Sequence, residues 1–135
     1  MRRVTVTLSP DVRALFDGRN FATLATINPD GSPQTSVLWV LRDGDTLLFS
    51  VLDHRKKARN VARDPRVSVA VHDEGNPYVG AEVRGTAELL PDPEKALPGA
   101  LSQKYLEVEP PGESDDEVRL IIRVTPTVVH YSALG

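Results

Sequence analysis

The chain has 135 residues, 40% of them hydrophobic and 26% charged, as expected of one globular domain spanning residues 1–135. Sixteen Lys and Arg against nineteen Asp and Glu leave a formal charge of −3, without the basic excess that marks nucleic-acid binding. No cysteine is present, which removes disulfides and thiol chemistry, and one Trp, three Tyr and three Phe leave the core to Val, Leu, Ile and Ala.

The residues from Met1 to Leu8 contain no apolar stretch of signal-peptide or membrane-spanning length, so a cytoplasmic protein with no membrane partner is expected. Ser9-Pro10-Asp11 reads as a helix start, with Ser9 as N-cap and Pro10 in the first helical position. Val12, Leu15 and Phe16 follow at helical spacing, and Gly18 ends the helix. Phe21 to Ile27 is a strand, and Asn28-Pro29-Asp30-Gly31 is a tight turn. Gln34 to Leu41 is its partner, Arg42-Asp43-Gly44-Asp45 turns again, and Thr46 to Leu52 completes an antiparallel meander.

Asp53 is placed to cap a helix from about His54 to Arg63, which Asp64-Pro65 stops. Arg66 to His72 is a buried strand, Asp73 to Pro77 a loop, and Tyr78 to Leu90 a long strand with bends expected at Gly80 or Gly85. Pro91-Asp92-Pro93-Glu94 starts a third helix, which Pro98-Gly99 is expected to interrupt or delay. Glu107 to Glu117 is an acidic surface loop. Val118 to Val124 and Thr127 to Tyr131 are closing strands split by Thr125-Pro126. Six or seven antiparallel strands in so short a chain are expected to curl into a barrel, which removes exposed edges. The fold class is mainly β with short helices.

The segment with most chemical content runs from Phe49 to Asn60. Arg55, Lys56, Lys57 and Arg59 crowd the start of a helix, Arg63 follows one turn later, and no acid lies between His54 and Arg63. Cations at a helix N-terminus oppose the macrodipole at a cost of roughly 0.3–1 kcal/mol each. A bound phosphate would reverse that, because the free N–H groups and the basic side chains converge on it. Ser50 and Asn60 offer neutral hydrogen bonds nearby. Two other readings stand beside this one: a solvated basic helix face, and a nucleic-acid patch, which here lacks interleaved aromatics for base stacking.

No side-chain catalyst is evident. There is no Gly-x-Ser-x-Gly elbow and no dinucleotide glycine fingerprint, and His54, His72 and His130 are too scattered to suggest a metal site. Hydride chemistry carried by a cofactor is compatible with that gap.

The run from Ala22 through Asn28-Pro-Asp-Gly-Ser-Pro-Gln-Thr-Ser-Val-Leu-Trp-Val40, then Arg55-Lys-Lys-Ala-Arg-Asn60 and Asp64-Pro-Arg-Val-Ser-Val69, resembles the pyridoxamine-phosphate-oxidase-like superfamily. Within it, the chain is most similar to the flavin/deazaflavin oxidoreductases described as F-420-dependent. The resemblance covers nearly the whole chain. It implies a split β-barrel of the FMN-binding type, a homodimer, and a cofactor groove at the dimer interface.

By position, the resemblance assigns the cofactor phosphate to Arg55 and Lys57, with Lys56, Ser50 and Asn60 beside them. It lays the ring system along Gln34, Thr35, Ser36 and Val37, with Trp39 further along. Pro77 and Tyr78 would come from a facing loop, on either subunit; Trp39 and Tyr78 serve equally well as packed aromatics. The implied activity is hydride transfer from C5 of reduced coenzyme F-420 to an unsaturated or conjugated small molecule. FMN is the alternative cofactor, and a non-catalytic carrier the alternative role. The ending Val128 to Gly135 lacks the Trp- and Arg-bearing segment of true pyridoxamine-phosphate oxidases, which argues against vitamin B6 oxidation.

Overall fold

The computed structural model describes residues 6–133. Ser9 opens the first helix, α1 (Pro10–Asp17), by accepting a hydrogen bond from the Val12 N–H at 3.3 Å, with Pro10 in the first turn. Val12, Leu15 and Phe16 share one face of it and are buried.

Seven strands form one antiparallel sheet: β1 (Ala22–Ile27), β2 (Pro33–Leu38), β3 (Leu41–Asp43), β4 (Thr46–Leu52), β5 (Arg66–Asp73), β6 (Asn76–Pro91) and β7 (Arg119–Ala133). Their order is β2-β1-β5-β6-β7-β4-β3. The edge strands β2 and β3 are therefore neighbours in the chain, separated only by Trp39 and Val40. Laid flat at a spacing of ~4.8 Å, seven strands would hold the two edges about 29 Å apart. Three Cα steps reach only about 11 Å. The sheet is rolled, and its edges meet at the Trp39-Val40 corner. Inside lie Leu24, Leu47, Phe49, Val69, Val83, Ile122 and Val124, all without solvent exposure.

Four expectations need correction. The strand expected over residues 34–41 ends at Leu38, because the chain must turn the corner there before starting β3. The second helix, α2 (Lys56–Arg63), begins two residues later than expected, and Arg55, not Asp53, sits at its N-cap with no capping side chain. The third, α3 (Ala96–Leu106), runs unbroken through Pro98-Gly99. Pro98 lies in the first turn, where a missing N–H costs nothing. The buried Asp92 carboxylate caps this helix, accepting the Ala96 and Leu97 N–H groups at 3.0 Å each, and the helix starts at Ala96, past the Pro93-Glu94 expected to open it.

The fourth correction concerns the closing strands, which are one strand. β7 continues through Pro126, and the register slips opposite Arg84-Gly85, leaving Thr127 as the extra residue of a bulge. Pro126 lies beyond Val124, the last residue that β4 reaches, so a missing N–H is tolerated there. Gly85 is required at this point: a Cβ would lie 2.2 Å from the Thr125 carbonyl oxygen.

Candidate cofactor groove

Alternation along β4 turns Leu47, Phe49 and Val51 inward and sends Leu48, Ser50 and Leu52 to the opposite face. Pairing with β7 sets Ser50 opposite Ile121 and Leu52 opposite Arg119. The chain then leaves β4, and Arg55 opens α2. The N-terminus of α2 has no acidic residue in its first turn and no side-chain cap. None of the ion pairs among the described residues involves Arg55, Lys56, Lys57 or Arg59. Burial, reinforced by the charges of Arg55 and Arg119, pulls the Lys57 pKa below the ordinary lysine value. Like charges held together in this way favour a bound anion.

Ser50 adds an independent sign. Its Oγ is buried and is the one buried side-chain N or O atom among the described residues with no hydrogen-bond partner. A buried hydroxyl left unpaired is unusual in a folded protein, and a ligand is one way to satisfy it.

Ser50 also lines a groove of about 630 Å³. One wall is the β2 end and corner, Val37, Leu38 and Trp39, with Phe21 beside them; the other is α3 through Pro98, Leu101 and Leu106. Tyr105 ties the walls together. Its ring stacks on Trp39 (centroids 5.2 Å apart, 7° between planes) and on Phe21 (6.0 Å, 18°). Its hydroxyl donates to the Asn20 carbonyl at 2.7 Å and accepts the Val40 N–H at 3.2 Å. The Lys104 ammonium donates to the Phe16 and Val40 carbonyls at 2.5 and 2.7 Å. Burial lowers the Lys104 pKa to about 8, against a weaker upward pull from Asp17. The polar end of the groove holds Ser50, Lys95, Glu113 and Arg119.

Asn60 aside, the residues anticipated for the site separate into three groups. Arg55, Lys57 and Ser50 gather around the β4–α2 junction, with Lys56 exposed beside them. On β2, Thr35 and Val37 face solvent, Val37 with 68% exposure, while Gln34 and Ser36 are half-buried. Pro77 and Tyr78 lie at the exposed start of β6, and neither lines the groove.

Asn60 has a different environment from the one expected of a phosphate ligand. It is 1% exposed, and its amide donates to Thr26 Oγ1 and Asn28 Oδ1, both at 3.0 Å. Thr26 in turn donates to Gln34 Oε1 at 2.8 Å, and the Gln34 amide donates to Ser36 Oγ at 2.9 Å. This chain of polar groups fastens α2 to β1 and β2. Sequence reasoning missed Arg119, Lys95 and Phe21. Arg119 follows the acidic loop, and only the β4–β7 register brings it beside Ser50 and Lys57.

Fold and groove together define the class: a rolled antiparallel sheet carrying an apolar groove with a cationic end. The chain belongs to the pyridoxamine 5′-phosphate oxidase family, whose profile matches residues 8–133. A solved structure described as an F420 reductase is 36% identical, with a TM-score of 0.81, covering 91% of this chain and 98% of that one. A conserved hypothetical protein from Mycobacterium tuberculosis shares the fold at 22% identity and a TM-score of 0.75, covering 98% of this chain and 89% of that one. General Stress Protein 26 from Bacillus anthracis does so at 17% and 0.70, covering 90% and 91% respectively. Among the described residues, no group of three or more His, Asp or Glu side chains is placed to hold a metal ion, and no helix is long and apolar enough to cross a membrane.

Proposed function

We propose that the protein is an F-420-dependent oxidoreductase acting on an unsaturated or conjugated small molecule, and that it works as a split-barrel homodimer. The observation that carries this reading is the orphaned Ser50 hydroxyl in a groove sized for a flat organic ligand, on the strand that leads into the unneutralised pair Arg55 and Lys57. The 36% identity to a structure described as an F420 reductase supports the choice of cofactor.

In this reading Arg55 and Lys57 hold the cofactor phosphate, with Lys56 adding positive potential, and Ser50 donates its hydroxyl to the same ligand. The ring system lies along β2, where Gln34, Thr35, Ser36 and Val37 shape its bed. Gln34 and Ser36 are held by the Asn60–Thr26 network, so the bed is set before the ligand arrives. F-420, when bound, supplies the hydride chemistry; the protein positions it and keeps water from its face. Exposed Val37 and Phe21 flank the groove mouth, and a second copy of the chain would cover them and bring its own Tyr78 and Pro77 toward the site.

The test is a fluorescence titration with F-420 run beside FMN at one ionic strength, on wild type and on the Arg55→Ala/Lys57→Ala double variant. Each charge-assisted hydrogen bond contributes roughly 1.5–3 kcal/mol, so the double variant should bind at least ~100-fold more weakly. Its thermal unfolding should stay close to wild type, since Arg55 is exposed and the half-buried Lys57 ammonium makes no ion pair among the described residues that its removal would break. A preference for FMN moves the protein to the flavin enzymes of the family. Unchanged affinity in the double variant rejects the proposed phosphate site.

A further inference from the structure

The polar end of the groove carries charges that phosphate binding at Arg55 and Lys57 does not use. Arg119 donates from Nε to both carboxylate oxygens of Glu113, at 3.0 and 3.3 Å, and from Nη2 to Oε1 as well. Lys95 Nζ approaches the same carboxylate at 3.3 Å. All three side chains are about three-quarters buried: 23% exposed for Arg119, 27% for Lys95 and 25% for Glu113.

Three observations separate this triad from an ordinary surface salt bridge. It lines the groove, so its carboxylate shares a space with Trp39, Phe21 and Leu106 that those apolar groups would otherwise offer to a ligand. The carboxylate also comes from a segment between α3 and β7 with no helix or strand, entered through Pro110-Pro111-Gly112, whereas Arg119 is fixed in the sheet and Lys95 abuts the first turn of α3. Finally, the charges do not balance: one carboxylate stands against Arg119, Lys95 and the neighbouring Lys57.

We infer that Glu113 is an internal substitute for a ligand's anionic group, and that the groove accepts small molecules with a flat apolar body and one carboxylate or phosphate, which displaces Glu113 from Arg119 and Lys95. The apolar walls take the body, and the Arg119 fork takes the anion in the bidentate geometry it already shows toward Glu113. The Arg119 and Lys95 contacts hold Glu113 below the usual carboxylate range, so at neutral pH it is an anion competing with another anion. The acidic loop thereby sets a threshold: neutral apolar molecules do not open the subsite, and anionic ones do. This inference rests on the groove being the ligand site but not on the identity of the cofactor.

The experiment measures binding of 2-naphthoate and of its neutral counterpart 2-naphthylmethanol by calorimetry, on wild type, Arg119→Gln and Glu113→Gln. Wild type should prefer the anion. Arg119→Gln should lose roughly tenfold in naphthoate affinity with the alcohol unchanged, and Glu113→Gln should gain roughly three- to tenfold for naphthoate alone, the scale of one charge-assisted contact partly exposed to solvent. A variant that merely loosens the fold shifts both ligands together, so the ratio between them is the readout. An anion preference that is absent, or equal in all three proteins, overturns the inference. Addition of F-420 then separates two sources of the natural anion: competition with naphthoate assigns it to the cofactor, and simultaneous binding assigns it to the acceptor substrate. If F-420 does not bind at all, the naphthoate ratios still decide the subsite while the cofactor reading fails separately.

Discussion

Replacing Asn60 with Ala distinguishes two roles for one residue, a phosphate ligand or a fastener between helix and sheet. Its amide is 1% exposed and donates to Thr26 and Asn28, and its carbonyl oxygen accepts from Arg63 at 3.2 Å. Each buried neutral hydrogen bond contributes roughly 0.5–1.5 kcal/mol net. Two of them, with a small void where the amide stood, give a loss of about 2–3 kcal/mol. For a domain of this size that is a fall in Tm of roughly 6–12 °C. Urea unfolding followed by circular dichroism measures the first number, and a thermal scan the second. F-420 affinity, measured well below the variant's Tm, should fall by less than about tenfold, because Asn60 acts on the ligand only by steadying the Gln34–Ser36 bed and not through a contact of its own. A destabilisation below about 0.5 kcal/mol together with a tenfold or greater affinity loss would refute the reasoning and return Asn60 to the ligand shell.

Asp92→Ala should cost about 1–2 kcal/mol in urea unfolding, since the carboxylate holds two free N–H groups at the start of α3; Asp92→Asn, which keeps an acceptor oxygen, should recover part of the loss. An unaltered unfolding midpoint in Asp92→Ala would mean that α3 needs no cap. Lys104 gives a pH prediction. Its pKa falls from 10.5 to about 8 on folding, chiefly through burial, so between these values the unfolded chain holds more protons than the folded one. Stability must then rise with pH from 8 toward 10.5, and the buried charge is fully penalised below 8. The stability difference between wild type and Lys104→Gln should therefore shift in favour of wild type across that window, and a flat difference would remove Lys104 from the account.

Much of the architecture follows from local sequence. Ser9-Pro10 begins a helix because a hydroxyl acceptor and a preset φ suit that position wherever the helix packs. Asn28-Pro29-Asp30-Gly31 closes its hairpin because Gly31, at φ 88°, adopts a conformation few other residues tolerate. The basic helix start was equally legible, since a charge run uninterrupted by acids is visible in one dimension.

The rest depended on contacts between distant segments. Residues 34–41 read as one strand until the edges of the rolled sheet had to meet, which forces the corner at Trp39-Val40. Pro126 reads as a strand break, yet β7 passes through it because the bulge opposite Gly85 absorbs the extra residue. Asn60 carries the same side chain in either role, and only its burial against Thr26 and Asn28 shows that its hydrogen bonds are already made. Arg119 lies 69 positions from Ser50 along the chain. Sequence separation says nothing about their meeting in one groove, which follows from Ser50 standing opposite Ile121 and Leu52 opposite Arg119, because strand register is set by which faces bury apolar side chains across the whole sheet. The sequence alone therefore determined that a helix start would be rich in positive charge; the tertiary structure decided that Ser50 shares a groove with Arg119 and Lys95, and which carboxylate stands between them.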